Sequence, residues 1–153
     1  MPQYKVAIIM GSPNDRPKMQ PAADTLEELG IEADVRVMSA HRTPAVVAEF
    51  VGGARAAGYS AIIAGAGMAA HLAGVSAAHT TLPVVGVPLS GGALNGVDAL
   101  YATVQMPKGI PVATVAVDGS VNAALLVAQM LAIGDADLEA RLVADRQARA
   151  SVS

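Results

Sequence analysis

The chain has 153 residues, a formal net charge of −3 and no cysteine, with 53% hydrophobic and 15% charged residues. That length suits one domain with a sizeable core, since domains cluster at roughly 100 to 150 residues, and the acidic balance excludes a basic field for nucleic acid or an anionic membrane, so any anion must be caught locally. Without cysteine there is no disulfide framework, thiolate nucleophile or cysteine metal site, which fits a reducing, cytoplasmic setting.

The opening MPQYKVAIIMGS has too short an apolar run for a secretory signal and ends it in a glycine turn. Tyr4 to Met10 reads instead as a strand covered on both faces. Met19, Ala22, Ala23, Leu26 and Leu29 then share one helical face, and Gly30 stops the helix. Ala33 to Met38 alternates apolar and charged residues, the pattern of a half-exposed edge strand. Thr43 is placed to cap the next helix with Pro44 at its first position, and Val46, Val47, Phe50, Val51 and Ala54 form its expected buried stripe.

Strands are expected again at Ala61–Gly65, Pro83–Pro88 and Pro111–Val117, each followed by a helical stretch. The apolar stretch Ala61–Ala78 approaches membrane-spanning length, but its glycines and histidine suit strand, turn and helix, so no membrane span is expected. After Gly134, DADLEARLVADRQARASV reads as an amphipathic terminal helix. Strand, helix, strand in succession implies parallel pairing with right-handed crossovers. The expected fold is therefore a single three-layer α/β/α domain over 1–153, with a core of about 4–134 and a C-terminal helix of about 135–150. Its sheet has five parallel strands, and the edge character of the second favours the flavodoxin-like order 2-1-3-4-5.

Ligands of such sheets collect at the carboxyl ends of the strands. Four polar or glycine-rich turns fall on that rim: GSPND after strand one, SAHRTP after strand two, GAGMAAHLAG after strand three and PLSGGALNG after strand four. In GSPND, Gly11 permits close approach, Ser12 and free amides suit phosphate, and Asp15 suits sugar hydroxyls; equally, Ser12 or Asp15 serves as a helix cap. In SAHRTP, Arg42 can grip phosphate in two places, and His41 has a side chain that donates and accepts protons near neutrality. A surface or capping histidine is the plainer alternative for His41.

Gly65, Ala66 and Gly67 let a planar ligand approach the main chain, with His71 one turn into the following helix as a ligand contact or a core or interface histidine. His79 reads as a helix-end residue, and its two-turn separation from His71 does not suit a zinc pair. No metal site is expected, nor an acidic cluster for magnesium. With no Trp, one Phe and three Tyr, stacking for a flavin is scarce. A charged fraction below the usual quarter also leaves surplus apolar surface, which points to self-association.

Taken together, MGSPND, SAHRTP, AGAGMAAHL, LNGVDALYATVQMPKGIPVATVAV and NAALLVAQMLA resemble the bacterial N5-carboxyaminoimidazole ribonucleotide mutase family of purine biosynthesis, over about residues 4–134. The resemblance implies a cofactor-free isomerase that moves a carboxyl group from an exocyclic nitrogen to the ring carbon, giving 4-carboxy-5-aminoimidazole ribonucleotide. It implies His41 as proton shuttle, Ser12 and Arg42 on the 5′-phosphate, Asp15 on the ribose, and backbone contacts from Ser39 and Ala40. Gly65, Ala66, Gly67, His71 and Leu72 would line the base pocket. It also implies a cytoplasmic homo-octamer, a small ribonucleotide as substrate, and a functional link to an ATP-dependent synthase of the carbamate.

Pro13 and Asn14 stand where that family usually has a serine before the aspartate, and Ala73 stands where it has proline. Arg42 favours the mutase over the related class that carboxylates aminoimidazole ribonucleotide directly with CO2, which usually has lysine after the histidine. A non-catalytic ribonucleotide-binding module would use the same rim without needing His41.

Overall fold

In the computed structural model, which describes residues 3–152, three near-continuous apolar runs form the inner strands, the alternating one lies at one edge and a short last strand at the other. Met1, Pro2 and Ser153, the ends of the expected 1–153 unit, lie outside the described residues. The strands are β1 (Lys5–Met10), β2 (Glu32–Val37), β3 (Ala61–Gly67), β4 (Val84–Leu89) and β5 (Ala113–Thr114). They form one sheet in the order β2-β1-β3-β4-β5 with every pairing parallel, as expected. The helices are α1 (Arg16–Glu28), α2 (Pro44–Gly53), α3 (Leu72–His79), α4 (Val97–Val104), α5 (Ser120–Ala132) and α6 (Ala136–Ala150).

Because side chains alternate across a strand, the sheet offers two apolar faces, and each is covered. Val6, Ile8 and Met10 of β1 pack with Met19 and Leu26 of α1 and Val127 of α5. Ala7 and Ile9, pointing the other way, pack with Val47 and Val51 of α2 and Leu72 of α3. The five residues expected on one helical face are all buried, four in α1 and Leu29 at its C-terminal cap, and Gly30 follows at φ 78°. Asp135 caps α6, its carboxylate accepting from the Leu138 N–H at 3.0 Å.

Three expectations are corrected. The last strand spans only Ala113–Thr114 rather than Pro111–Val117. Its ladder lies beside Pro88, whose carbonyl accepts from Asp118 N–H at 2.8 Å but which has no N–H to return on that side. Val46 of the α2 stripe is 50% exposed, while Val47, Val51 and Ala54 are buried as expected. Thr43 does precede α2, but its hydroxyl makes no cap bond and turns back to Ser39 instead.

Strand register sets up the site. Met10 pairs with both Val37 and Gly65, and Gly65 pairs with Val87, so β1 to β4 end nearly level and their turns leave from one rim.

Candidate active site

The first turn is built by Ser12, which sits in extended conformation before a 3-10 turn at Pro13–Asp15. Its Oγ accepts from Asn14 N–H at 3.2 Å, and Asp15 N–H donates to its carbonyl at 3.1 Å. Asp15 takes the cap position of α1 without a side-chain cap bond, so capping does not engage its carboxylate. Burial pushes the Asp15 carboxyl above its ordinary value, against the opposing pull of the Lys18 ammonium, a Ser12 main-chain hydrogen bond and the Arg42 guanidinium.

The second turn is a closed ring. Thr43 N–H donates to the Ser39 carbonyl at 2.9 Å, Thr43 Oγ1 donates to the same carbonyl at 3.1 Å, and Ser39 N–H donates to Thr43 Oγ1 at 2.9 Å. Arg42 N–H donates to Ser39 Oγ at 3.1 Å. The main chain between is thereby pinned, and His41 and Arg42 project from it as exposed side chains. Arg42 Nη2 donates to the Gly11 carbonyl at 2.7 Å, which sets the guanidinium over the first turn.

Beyond β3 the chain passes through Met68, a non-glycine residue at φ 52°, to His71. His71 stands at the N-terminal cap position of α3, not one turn inside it, and its ring is exposed. Its Nδ1 lies 2.7 Å from His41 Nε2, a hydrogen-bond distance, and the rings meet edge-on at 4.9 Å with an interplanar angle of 85°. The two imidazoles come from the turns after different strands, and one ring nitrogen donates to the other. Such a pair can accept a further proton and return it without rearranging the main chain.

These turns enclose a cleft of about 530 Å³, to which the turn after β4 adds Ser90, Gly91 and Gly92. Ser12, Asp15, Ser39, Ala40, His41, Arg42, Ala66, Gly67, His71 and Leu72 all line it. Gly65 does not. It is buried in β3, and a Cβ there would run into Met19 Sδ, so its lack of a side chain admits α1 to the sheet rather than a ligand to the cleft. His79, the last residue of α3, lines a different hollow. Among the described residues no three His, Asp or Glu side chains are grouped to hold a metal ion. A family model described as AIR carboxylase matches residues 5–151.

The chain belongs to the AIR carboxylase family. It is 57% identical over 146 residues to the N5-carboxyaminoimidazole ribonucleotide mutase of Brucella melitensis, covering 94% of this chain and 90% of that protein. It is 54% identical over 140 residues to the Escherichia coli (strain K12) protein of the same name, covering 90% and 83%. Among solved structures, Treponema denticola PurE superposes with a TM-score of 0.87 at 28% identity, covering 96% of this chain and 92% of that one.

In this member of the AIR carboxylase family, sequence reasoning missed Met68, Ala69 and Asn14 on the cleft wall and the engaged part of the β4 turn. The glycine pair after β4 marked a turn on the rim, yet nothing local showed that Ser90 would be bonded to Lys18 and Asp118. Those partners lie 72 and 28 residues away.

Proposed function

We propose that this protein converts N5-carboxyaminoimidazole ribonucleotide to 4-carboxy-5-aminoimidazole ribonucleotide as a single catalytic domain of purine biosynthesis. The observation that carries the reading is the meeting of Ser12, Arg42 and the His41–His71 pair in one cleft. Ser12 and Arg42 take the 5′-phosphate, because the Arg42 fork has donors beyond the one given to Gly11. Asp15 accepts from the ribose hydroxyls, and the main chain at Ser39, Ala40, Ala66 and Gly67 flanks the imidazole with Leu72 beneath it.

The proton account then closes on His41. As the bond between the exocyclic nitrogen and the carboxyl carbon breaks, His41 gives its proton to that nitrogen and CO2 is freed. The ring carbon attacks the held CO2 to form a carbon–carbon bond, and the proton leaving that carbon returns to His41. His71, already bonded to His41, holds the ring in one orientation and supports whichever protonation state the step leaves. Holding the two fragments together supplies effective concentration worth roughly 7 to 11 kcal/mol of barrier.

Carbon label on the carbamate therefore survives into the product in the presence of excess unlabelled bicarbonate. Full dilution of the label, or turnover of aminoimidazole ribonucleotide with CO2 and none of the carbamate, would place the protein with the direct carboxylases.

Self-association belongs to the same reading. Leu94, Val97, Tyr101 and Val104 are 45% to 62% exposed along and just before α4, an apolar stripe at helical spacing that no element among the described residues covers. A second copy covers it in the homo-octamer we propose, and light scattering of the purified chain is expected to give a mass near eight times 15.4 kDa. A monomer at micromolar concentration would refute that assembly. No helix among the described residues is long and apolar enough to cross a membrane. We place the enzyme in the cytoplasm, where an ATP-dependent synthase would supply so labile a carbamate.

A further inference from the structure

Every polar group of Ser90 is engaged by two elements that do not adjoin it in sequence. Lys18 Nζ, from α1, donates to the Ser90 carbonyl at 2.7 Å and to Ser90 Oγ at 2.9 Å. Asp118, from the turn before α5, accepts from Ser90 N–H at 2.9 Å through Oδ1 and from the Ser90 hydroxyl through Oδ2. Asp118 is itself held in place: its N–H donates to the Pro88 carbonyl at 2.8 Å, and it keeps a left-handed φ of 60°, a conformation that costs a non-glycine residue. Although burial raises the Asp118 pKa, the hydrogen bonds from Ser90 and the nearby Lys18 charge carry it below the ordinary carboxylate value, so the group is ionised at neutral pH.

As an ion pair this arrangement is unremarkable in strength. Lys18 Nζ and Asp118 Oδ1 are 4.0 Å apart, with side chains 40% and 38% exposed, and such pairs contribute little by direct attraction. Its significance lies in what it immobilises. Ser90 is the root of a turn that continues through Gly91 and Gly92, both at positive φ, with the Gly92 backbone close against Met68. That turn forms one wall of the cleft holding His41 and His71. Two glycines in succession supply no stiffness of their own.

We propose that Lys18 and Asp118 act as positioning residues that clamp Ser90 and so fix the Ser90–Gly92 wall of the cleft for the ribonucleotide. The inference rests on the mutase reading and deepens it by adding two residues that line no part of the cleft themselves. Turnover of the carbamate is measured for the full chain, for Asp118→Asn, for Lys18→Met and for the double variant, with a thermal melt of each. KM is expected to rise about three- to tenfold in each single variant, the range set by loss of charged hydrogen bonds in a half-exposed site. The change in kcat stays within about twofold because His41 is untouched, and Asp118→Asn, which leaves the Lys18 charge near Asp15 in place, keeps the wild-type pH dependence. The double variant is no worse than the worse single one, since both partners act through Ser90. Lys18→Arg restores most of the loss.

Wild-type KM in both single variants overturns the proposal, as do losses that multiply in the double variant or a fall in kcat at constant KM. If a charge variant melts below the assay temperature, turnover of wild type and variant is compared at a temperature below that melt: a raised KM there supports the clamp and an unchanged one overturns it. Failure of the wild-type protein itself to turn over the carbamate would overturn the mutase reading instead, so the two failures are distinct.

Discussion

His41→Asn is expected to lower kcat by about two to four orders of magnitude, the usual range for removing a positioned acid–base group, while ribonucleotide affinity stays within a few-fold of wild type. The reason lies in how His41 is held. Its backbone sits inside the ring closed by Ser39 and Thr43, which makes no use of the imidazole, so the substitution leaves the turn and Arg42 in place. Asparagine still offers a polar group toward His71 Nδ1, which sits 2.7 Å from the imidazole nitrogen. What it lacks is a basic nitrogen that can hold a proton between the two halves of the reaction. Steady-state turnover of the carbamate together with calorimetry of product binding checks the separation. A variant that keeps wild-type turnover would favour a ribonucleotide-binding module, and one that loses affinity and turnover in parallel would make His41 a binding residue.

How far this was legible in the sequence depends on which interactions are local. β2 alternates charged and apolar residues and β1 does not, so one edge of the sheet could be read directly and the order 2-1-3-4-5 is favoured. Ser12, His41 and His71 each follow a strand, and a parallel sheet with level strand ends brings such residues together whatever their separation in the chain. Three features escaped because they depend on a neighbour that is remote in sequence. β5 is cut short beside Pro88, which belongs to another strand. Gly65 reads like a ligand-facing glycine until Met19 of α1 is seen packed on it. Ser90 gives no sign of its clamp, since Lys18 and Asp118 become its partners only when α1 and the turn before α5 close over the rim. Val46 shows the opposite error: its helical period reads as core, yet the described chain leaves it half exposed.

Arg42→Ala is expected to weaken ribonucleotide binding by about 10- to 150-fold, from the roughly 1.5 to 3 kcal/mol that hydrogen bonds to a charged partner contribute. The guanidinium is oriented by one bond, Nη2 to the Gly11 carbonyl at 2.7 Å, which ties it to the turn carrying Ser12. Arg42 lines the cleft, and its guanidinium keeps further N–H donors in the planar fork that suits a phosphate, so lysine at this position should recover only part of the affinity. The fold itself is not at stake, because the main-chain bond from Arg42 N–H to Ser39 Oγ survives truncation of the side chain. The phosphate also lies remote from the bonds that change, so its loss of contact should appear mainly in KM, with kcat falling less. The decisive comparison uses a ligand without the 5′-phosphate. If Arg42 acts on that group alone, the dephosphorylated nucleoside binds wild type and Arg42→Ala equally weakly, and the large difference is confined to the nucleotide. Equal losses for nucleotide and nucleoside would show instead that Arg42 works by shaping the Gly11–Ser12 turn, and the phosphate would have to be held by other groups of the cleft.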